Sequence, residues 1–363
     1  MDFNQVKLAE AEFRRTGLNR YKLEAHSSKI PGEEVELEVV HCDPKDGFTG
    51  YYYNQKDTKE KIVLHFTVGH LKGDISSLTS KKRGHVSTPF VIARDGTIYR
   101  LFSSANWSYH LGRKALGGNQ TQSRKSIGIE ISNYGPLFKK GNELHTYYSS
   151  AVSPRNTKKD VYCTLDDTDQ YIKLPKKFRN IEYFTKFTDE QYHSIIVLLR
   201  YLTTAYKIPR KFVDEASRFK TVSSASSQFK GICSHVNFRT DKSDIGPAFD
   251  WDRVIAGVTA DVYTGNVLEA AVEKAKQDVA TAQQGVEAAK AALTTAEATL
   301  TAAEAALEAA QNALENAEVV SRRAVSTFSE ADEPEVAAIT DETIHGEDGP
   351  EPFEIDRSSF YDV

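Results

Sequence analysis

Lys61-Ile62-Val63-Leu64-His65-Phe66-Thr67 is the clearest strand in the chain, an apolar run rich in β-branched residues with a histidine near its end. Outward from it, Pro89-Phe90-Val91-Ile92-Ala93, Thr97-Ile98-Tyr99-Arg100-Leu101 and Ser126-Ile127-Gly128-Ile129-Glu130-Ile131 read the same way. Arg94-Asp95-Gly96 joins the second and third as a tight hairpin, with Gly supplying the positive φ. Thr188-Asp189-Glu190-Gln191 fits a capping box, and Ile195, Ile196, Leu198, Leu199 and Leu202 then make one apolar helix face that stops at Ile208-Pro209. Short strands, loops and one convincing helix predict an α/β or α+β domain over residues 35–260.

The remainder of the 363 residues is arranged around that domain. Residues 1–34 read as an N-terminal extension that opens with a short helix, since Phe3, Val6, Leu8 and Phe13 are loosely periodic up to Gly17. Residues 137–180 are polar and Lys-rich, and read as an insertion, a long loop able to shape a cleft. Residues 261–325 change character. Val272, Val279, Val286, Leu293, Leu300, Leu307 and Leu314 recur every seven residues, and the residue three further on is always Ala. That register predicts an α-helical coiled coil whose Ala layers let helix axes approach closely. Strand number and orientation stay open at this point. Residues 326–363 hold twelve Asp/Glu against one Arg among Pro and Gly, an acidic tail of disordered composition.

With 40% hydrophobic and 27% charged residues, and no apolar run of ~18 residues, collagen-like, wholly disordered and membrane-inserted classes fall away. The net charge of −5 conceals a body, residues 1–264, that carries +10. Such a body favours anionic partners, bacterial cell wall among them. Its bases do not gather with aromatics in a recognisable motif, so nucleic acid is not expected. Cys42, Cys163 and Cys233 are an odd set without paired spacing, and read as reduced thiols. Met1-Asp2-Phe3-Asn4-Gln5 lacks the basic and apolar regions of a secretory signal, which predicts synthesis in the cytoplasm without a signal peptide.

Two of the ten histidines stand apart by context: His65 near the end of its strand, and His235 in Cys233-Ser234-His235-Val236-Asn237. With Asp244 they make a His/His/Asp set, which leaves a fourth zinc position open for water. Lys242-Ser243-Asp244-Ile245-Gly246-Pro247-Ala248-Phe249-Asp250-Trp251 resembles the KTDPGPAFDW signature of zinc-dependent N-acetylmuramoyl-L-alanine amidases. That family includes amidase-type phage lysozymes, cell-wall recycling amidases and peptidoglycan recognition proteins. Leu64-His65-Phe66-Thr67, Val91 to Ile98, Trp107-Ser108-Tyr109-His110-Leu111-Gly112 and Ser126 to Glu130 match the family in the same order. Ile245 stands where the family usually has Pro.

The resemblance implies a central mixed β-sheet flanked by helices, here followed by the coiled coil and the acidic tail. It implies one zinc ion on His65, His235 and Asp244, with Glu130 as general base and Lys242 at the developing oxyanion. It places His110 along the muropeptide groove, with Trp107 beside it. The implied reaction is hydrolysis of the amide between N-acetylmuramic acid and L-alanine in peptidoglycan. The missing signal and the added coil fit a phage-type lysin acting on the wall from the periplasm, either a free endolysin or a virion- or injection-machine component. Homo-oligomers or assembly contacts through the coil are then expected. The alternatives are a catalytically weak peptidoglycan-binding component and a secreted antibacterial amidase.

Overall fold

The computed structural model describes residues 3–223, 228–263 and 267–325. It divides into two compact units, one reaching Lys274 and one beginning at Ala275. No described helix is long and apolar enough to cross a membrane. The first unit opens with α1 (Phe3–Thr16), β1 (Tyr21–Lys29), β2 (Glu36–Pro44), β3 (Lys61–Phe66), α2 (Leu71–Leu78), β4 (Phe90–Ile92) and β5 (Ile98–Arg100). It continues through α3 (Asn119–Arg124), β6 (Ser126–Ile131), β7 (Pro136–Lys140), β8 (Glu143–His145), β9 (Val161–Thr164), β10 (Tyr171–Phe178) and β11 (Ile181–Thr185). It closes with α4 (Asp189–Tyr206), β12 (Gly231–Ser234) and α5 (Trp251–Thr259), and α6 (Val267–Val325) follows.

Seven strands form one mixed sheet in the order β1-β2-β5-β4-β6-β3-β12. From β4 through β6 and β3 to β12 the strands are parallel, while β4/β5 and β1/β2 are antiparallel. Every residue of β3 is buried, as a central parallel strand with both faces covered demands. Ile62, Leu64 and Phe66 pack in one cluster with Ile195, Leu198, Leu199 and Leu202 of α4 and Val254 of α5. Each such side chain contributes on the order of 1.5–3 kcal/mol through burial. On the other face Val91 and Tyr99 pack with Phe13 of α1 and with Leu71 and Ile75 of α2. The result is the α/β sheet flanked by helices that the sequence motifs imply. The expected capping box on α4 is present: the Thr188 hydroxyl accepts from Gln191 N, and the Gln191 side chain reaches back to Thr188 N.

Residues 1–34, read as an extension, belong to the sheet and its packing. β1 pairs with β2 along its whole length at the sheet edge, and buried Glu10 of α1 binds the buried Arg94 guanidinium at 3.1 Å. The stretch 137–180, expected as a long loop, contributes four strands, β7 to β10, joined by turns. β10-β11-β7-β8-β9 make a second, antiparallel sheet, with a small core of Leu137, Leu144, Tyr162 and Tyr183. Its β10–β11 turn is Arg179-Asn180, both at positive φ, the conformation a two-residue hairpin requires. Cys42, Cys163 and Cys233 are buried free thiols. In α6 the large heptad residues from Val279 to Leu314 are between 53% and 62% exposed. The acidic tail 326–363 lies outside the described residues.

Candidate metal centre

Strand geometry brings the three sequence-predicted ligands together. Side chains alternate along β3, so His65 shares a face with Val63 and points away from α4. β12 runs parallel to β3 with Ser234 opposite Leu64, and the next residue, His235, lands beside His65. There the chain turns into a single 3-10 turn, His235–Asn237, held by Asn237 Oδ1 accepting from Ser234 N at 3.0 Å. The following loop returns so that Val236 N donates to Asp244 O at 2.9 Å, which fixes Asp244 against both imidazoles. The Asp244–Ile245 peptide is cis.

Three ligand atoms meet at one point. His65 Nδ1 lies 3.0 Å from His235 Nδ1 and 3.2 Å from Asp244 Oδ2, and His235 Nδ1 lies 2.9 Å from the same oxygen. The hydrogen bonds behind them decide where the protons are. His235 Nε2 is 3.0 Å from Leu111 O, a carbonyl that only accepts, so Nε2 carries the proton and Nδ1 is bare. The Ser126 hydroxyl donates to Gln122 O at 2.6 Å and so accepts from His110 Nε2 at 2.9 Å. His110 Nδ1 is then bare and accepts from His65 Nε2 at 3.0 Å, which leaves His65 Nδ1 bare as well. Two imidazole lone pairs and a carboxylate oxygen thus converge with no proton between them, an arrangement that calls for a cation. Three ligands ~2.0–2.1 Å from a tetrahedral ion stand roughly 3.3 Å apart, close to the spacing found. The residues present therefore fit one zinc ion. These are the three residues that group as a candidate metal site among the described residues.

Burial shapes the charges. It pushes the His65 pKa down to about 4 despite the pull of Asp244, and pushes His110, next to His65, well below its usual value. For Asp244 burial opposes ionisation, but positive charge and donated hydrogen bonds from His235 and His65, a role a bound cation would take over when both rings are neutral, outweigh it and hold the carboxyl far below its usual range. Glu130 is the reverse case. Burial, reinforced by Asp244 and Asp74, raises its pKa well above the ordinary carboxylate value. It stands directly opposite His65 in the β3–β6 register, and its buried Oε2 has no hydrogen-bond partner among the described residues. The half-buried Lys242 side chain lies close enough for its charge to be felt at both Glu130 and His65.

His110 was expected in the groove, yet its ring is committed at both nitrogens to His65 and Ser126. Gly128 makes room for it: a Cβ there would stand 3.1 Å from the His110 ring and 2.8 Å from Thr88. Trp107, expected beside the groove, is 3% exposed, stacked on Tyr53 at 4.0 Å and covered by the Arg124 guanidinium, so it offers no open face to a ligand. The roles of Ser126 and the Leu111 carbonyl are not visible in a residue pattern, because each depends on contacts across the sheet. The second sheet also reaches this region. Phe178 lies where a side chain on Gly246 would be, and Arg179 donates to Arg239 O at 2.9 Å.

Comparison with known proteins follows the same lines. No curated protein sequence matches the chain. Among solved structures it is similar to the amidase AmiD from E. coli, in complex with anhydro-N-acetylmuramic acid-L-Ala-D-γ-Glu-L-Lys, at 17% identity and TM-score 0.35, covering 56% of this chain and 59% of that one. This chain therefore spans less than two thirds of the AmiD chain it matches. It is also similar to the amidase LysC from Clostridium intestinale, at 17% identity and TM-score 0.33, covering 61% of this chain and 97% of the other. AmpDh3 from Pseudomonas aeruginosa, in complex with anhydromuramic pentapeptide, matches at 15% identity and TM-score 0.34, over 56% and 61% of the two chains. A family model described as N-acetylmuramoyl-L-alanine amidase matches residues 55–247, more than half of the sequence and all three ligand positions. The chain belongs to the N-acetylmuramoyl-L-alanine amidase family.

Proposed function

We propose that the protein is a zinc-dependent peptidoglycan hydrolase that cleaves the amide between N-acetylmuramic acid and the L-alanine of the stem peptide. The observation that carries this reading is the convergence of three unprotonated ligand atoms beside Glu130, whose buried Oε2 has no hydrogen-bond partner among the described residues. His65, His235 and Asp244 would hold the ion, which when bound polarises the scissile carbonyl and acidifies water. Glu130, with its raised pKa, takes a proton from the attacking water and returns it to the leaving alanine nitrogen. Lys242 adds positive charge where the oxyanion develops. The second sheet, whose Phe178 and Arg179 stand at the Asp244 loop, forms one wall of the substrate cleft. Periodic exposed apolar residues on α6 support self-association, and an assembled lysin of phage type is the setting we favour over a free one.

Digestion of purified peptidoglycan by wild type and by Glu130→Gln, with mass spectrometry of the released fragments, tests the assignment. Wild type should free stem peptides that begin with L-alanine, and the variant should bind zinc normally while losing 10²–10⁴ of the rate, the usual range for a removed general base. An active Glu130→Gln enzyme would remove Glu130 from the mechanism. A zinc-loaded wild type that releases nothing from several wall types would leave a peptidoglycan-binding component as the better reading.

A further inference from the structure

The long helix α6 presents a stripe whose partner is specified by charge. Its seam is unambiguous. Large residues recur at one core position, here called a, and Ala three residues on at d, while the residue four beyond each large one, at e, is polar throughout. The large seam residues from Val279 to Leu314 are more than half exposed on this helix. The two positions that flank such a seam differ sharply. Between Asp278 and Val320 the g side holds Gly285, Ala292, Thr299, Ala306 and Ala313, all small and uncharged. The Thr299 hydroxyl is satisfied by Thr295 O of its own helix at 2.9 Å, so it too can be covered without losing a hydrogen bond. On the e side stand Gln283, Lys290, Glu297, Glu304, Gln311 and Glu318, all exposed. Along that edge the charge changes sign, from basic in the first half to acidic in the second.

A parallel partner would set each e residue against g of its neighbour, where by sequence only Asp278, facing the uncharged Gln283, carries a charge and no Lys or Glu of the e edge finds an opposite one. Reversing the partner brings e against e and g against g. A twofold axis beside Glu297, next to the middle of the 59-residue helix, then sets Lys290 against Glu304 twice and Gln283 against Gln311 twice. By sequence position the same operation puts Lys276 opposite Glu318. One like-charged contact arises, Glu297 on its own copy at the axis. Sliding the partner by one heptad in one direction instead faces Glu297 against Glu304 twice with no Lys–Glu contact at all. The small g residues meet one another in this arrangement and allow the close axial approach that Ala at d invites.

We propose that α6 binds the α6 of a second copy of this chain in antiparallel orientation, in the register that pairs Lys290 with Glu304. The proposal rests on the reading of α6 as a self-associating helix and adds its direction and register. Opposite-charge pairs across such an edge set orientation more than they set affinity.

Sedimentation equilibrium of the full chain measures it. Because Lys290 also meets Glu287 within its own helix at 2.9 Å, Glu304→Lys is the cleaner single change. It should weaken the dimer about tenfold by turning two attractive contacts repulsive. Adding Lys290→Glu should restore affinity to within about twofold of wild type, and Glu297→Gln should tighten the dimer. All three native cysteines are buried, so an introduced thiol reports alone. Thr299→Cys, near the axis, should cross-link into a covalent dimer on mild oxidation, whereas Leu300→Cys should not. A dimer that ignores the charge swap and cross-links through Leu300→Cys would overturn the antiparallel register and leave self-association standing. A monomer at all concentrations would overturn both.

Discussion

The candidate metal centre and the long helix are specified by opposite means. His65 and His235 are 170 residues apart in the chain and His65 and Asp244 are 179 apart, yet their ligand atoms lie within 3.2 Å of one another. Each position there is unique, held by strand register, a turn and a loop, and no neighbour can substitute for it. In α6 the same short pattern repeats seven times, its described seam residues from Val279 to Leu314 are more than half exposed, and any one heptad resembles the next. A site built from long-range, single-copy contacts is brittle, whereas a periodic seam spreads its specification thinly. Comparable single substitutions should therefore have very different effects in the two regions.

The sharpest contrast comes from Asp244→Ala. It leaves two buried imidazoles without their carboxylate, and the protein should lose stoichiometric zinc and essentially all amidase turnover, as measured by metal analysis and peptidoglycan digestion. Retention of one zinc per chain would place the third ligand elsewhere. A smaller effect is expected one contact back from the ion. His110→Ala removes the acceptor that holds His65 Nε2 and its tautomer, and should weaken zinc binding roughly 10–100-fold in chelator competition. His110→Asn, whose amide oxygen can take the place of Nδ1, should recover most of that loss. If the two variants bind zinc alike, His110 belongs to the groove after all. The smallest effect is expected in the helix. Leu300→Ala should leave zinc content, turnover and helical circular dichroism unchanged, since Ala is the stronger helix former, and should only loosen self-association by several-fold. A loss of turnover in this variant would erase the distinction between the regions.

How much of this was legible in the sequence also follows the contrast. β3, β4, β5 and β6 announce themselves because buried parallel strands concentrate β-branched residues, and α4 carries its own start signal in Thr188 and Gln191. The proximity of His65, His235, Asp244 and Glu130 was legible through motifs, and strand register explains those spacings: Ser234 opposite Leu64, and Glu130 opposite His65. β1 was hidden because only its first residue is buried, so an edge strand of mostly exposed polar residues has no periodicity to read. β10 was hidden for a similar reason, since its lysines face solvent and Leu174 alone of its residues is buried. The direction of the His110 ring depends on the missing side chain of Gly128 on another strand, and a linear pattern carries no such information.

The parallel pairing of β3 with β12 has a consequence for the life of the chain beyond its chemistry. An ion held by His65 on one strand and by His235 and Asp244 after the other would act as a removable cross-link, closing a loop of 170 residues near the two ends of the amidase region. Such a link stabilises only the folded state, by about 2.7 kcal/mol at a free ion concentration a hundred times the dissociation constant. Without an ion the three ligand atoms would meet with nothing to join them, and β12 would be held by its pairing with β3 and by its buried side chains alone. Metal supply would then govern how long the protein survives proteolysis as well as whether it can act.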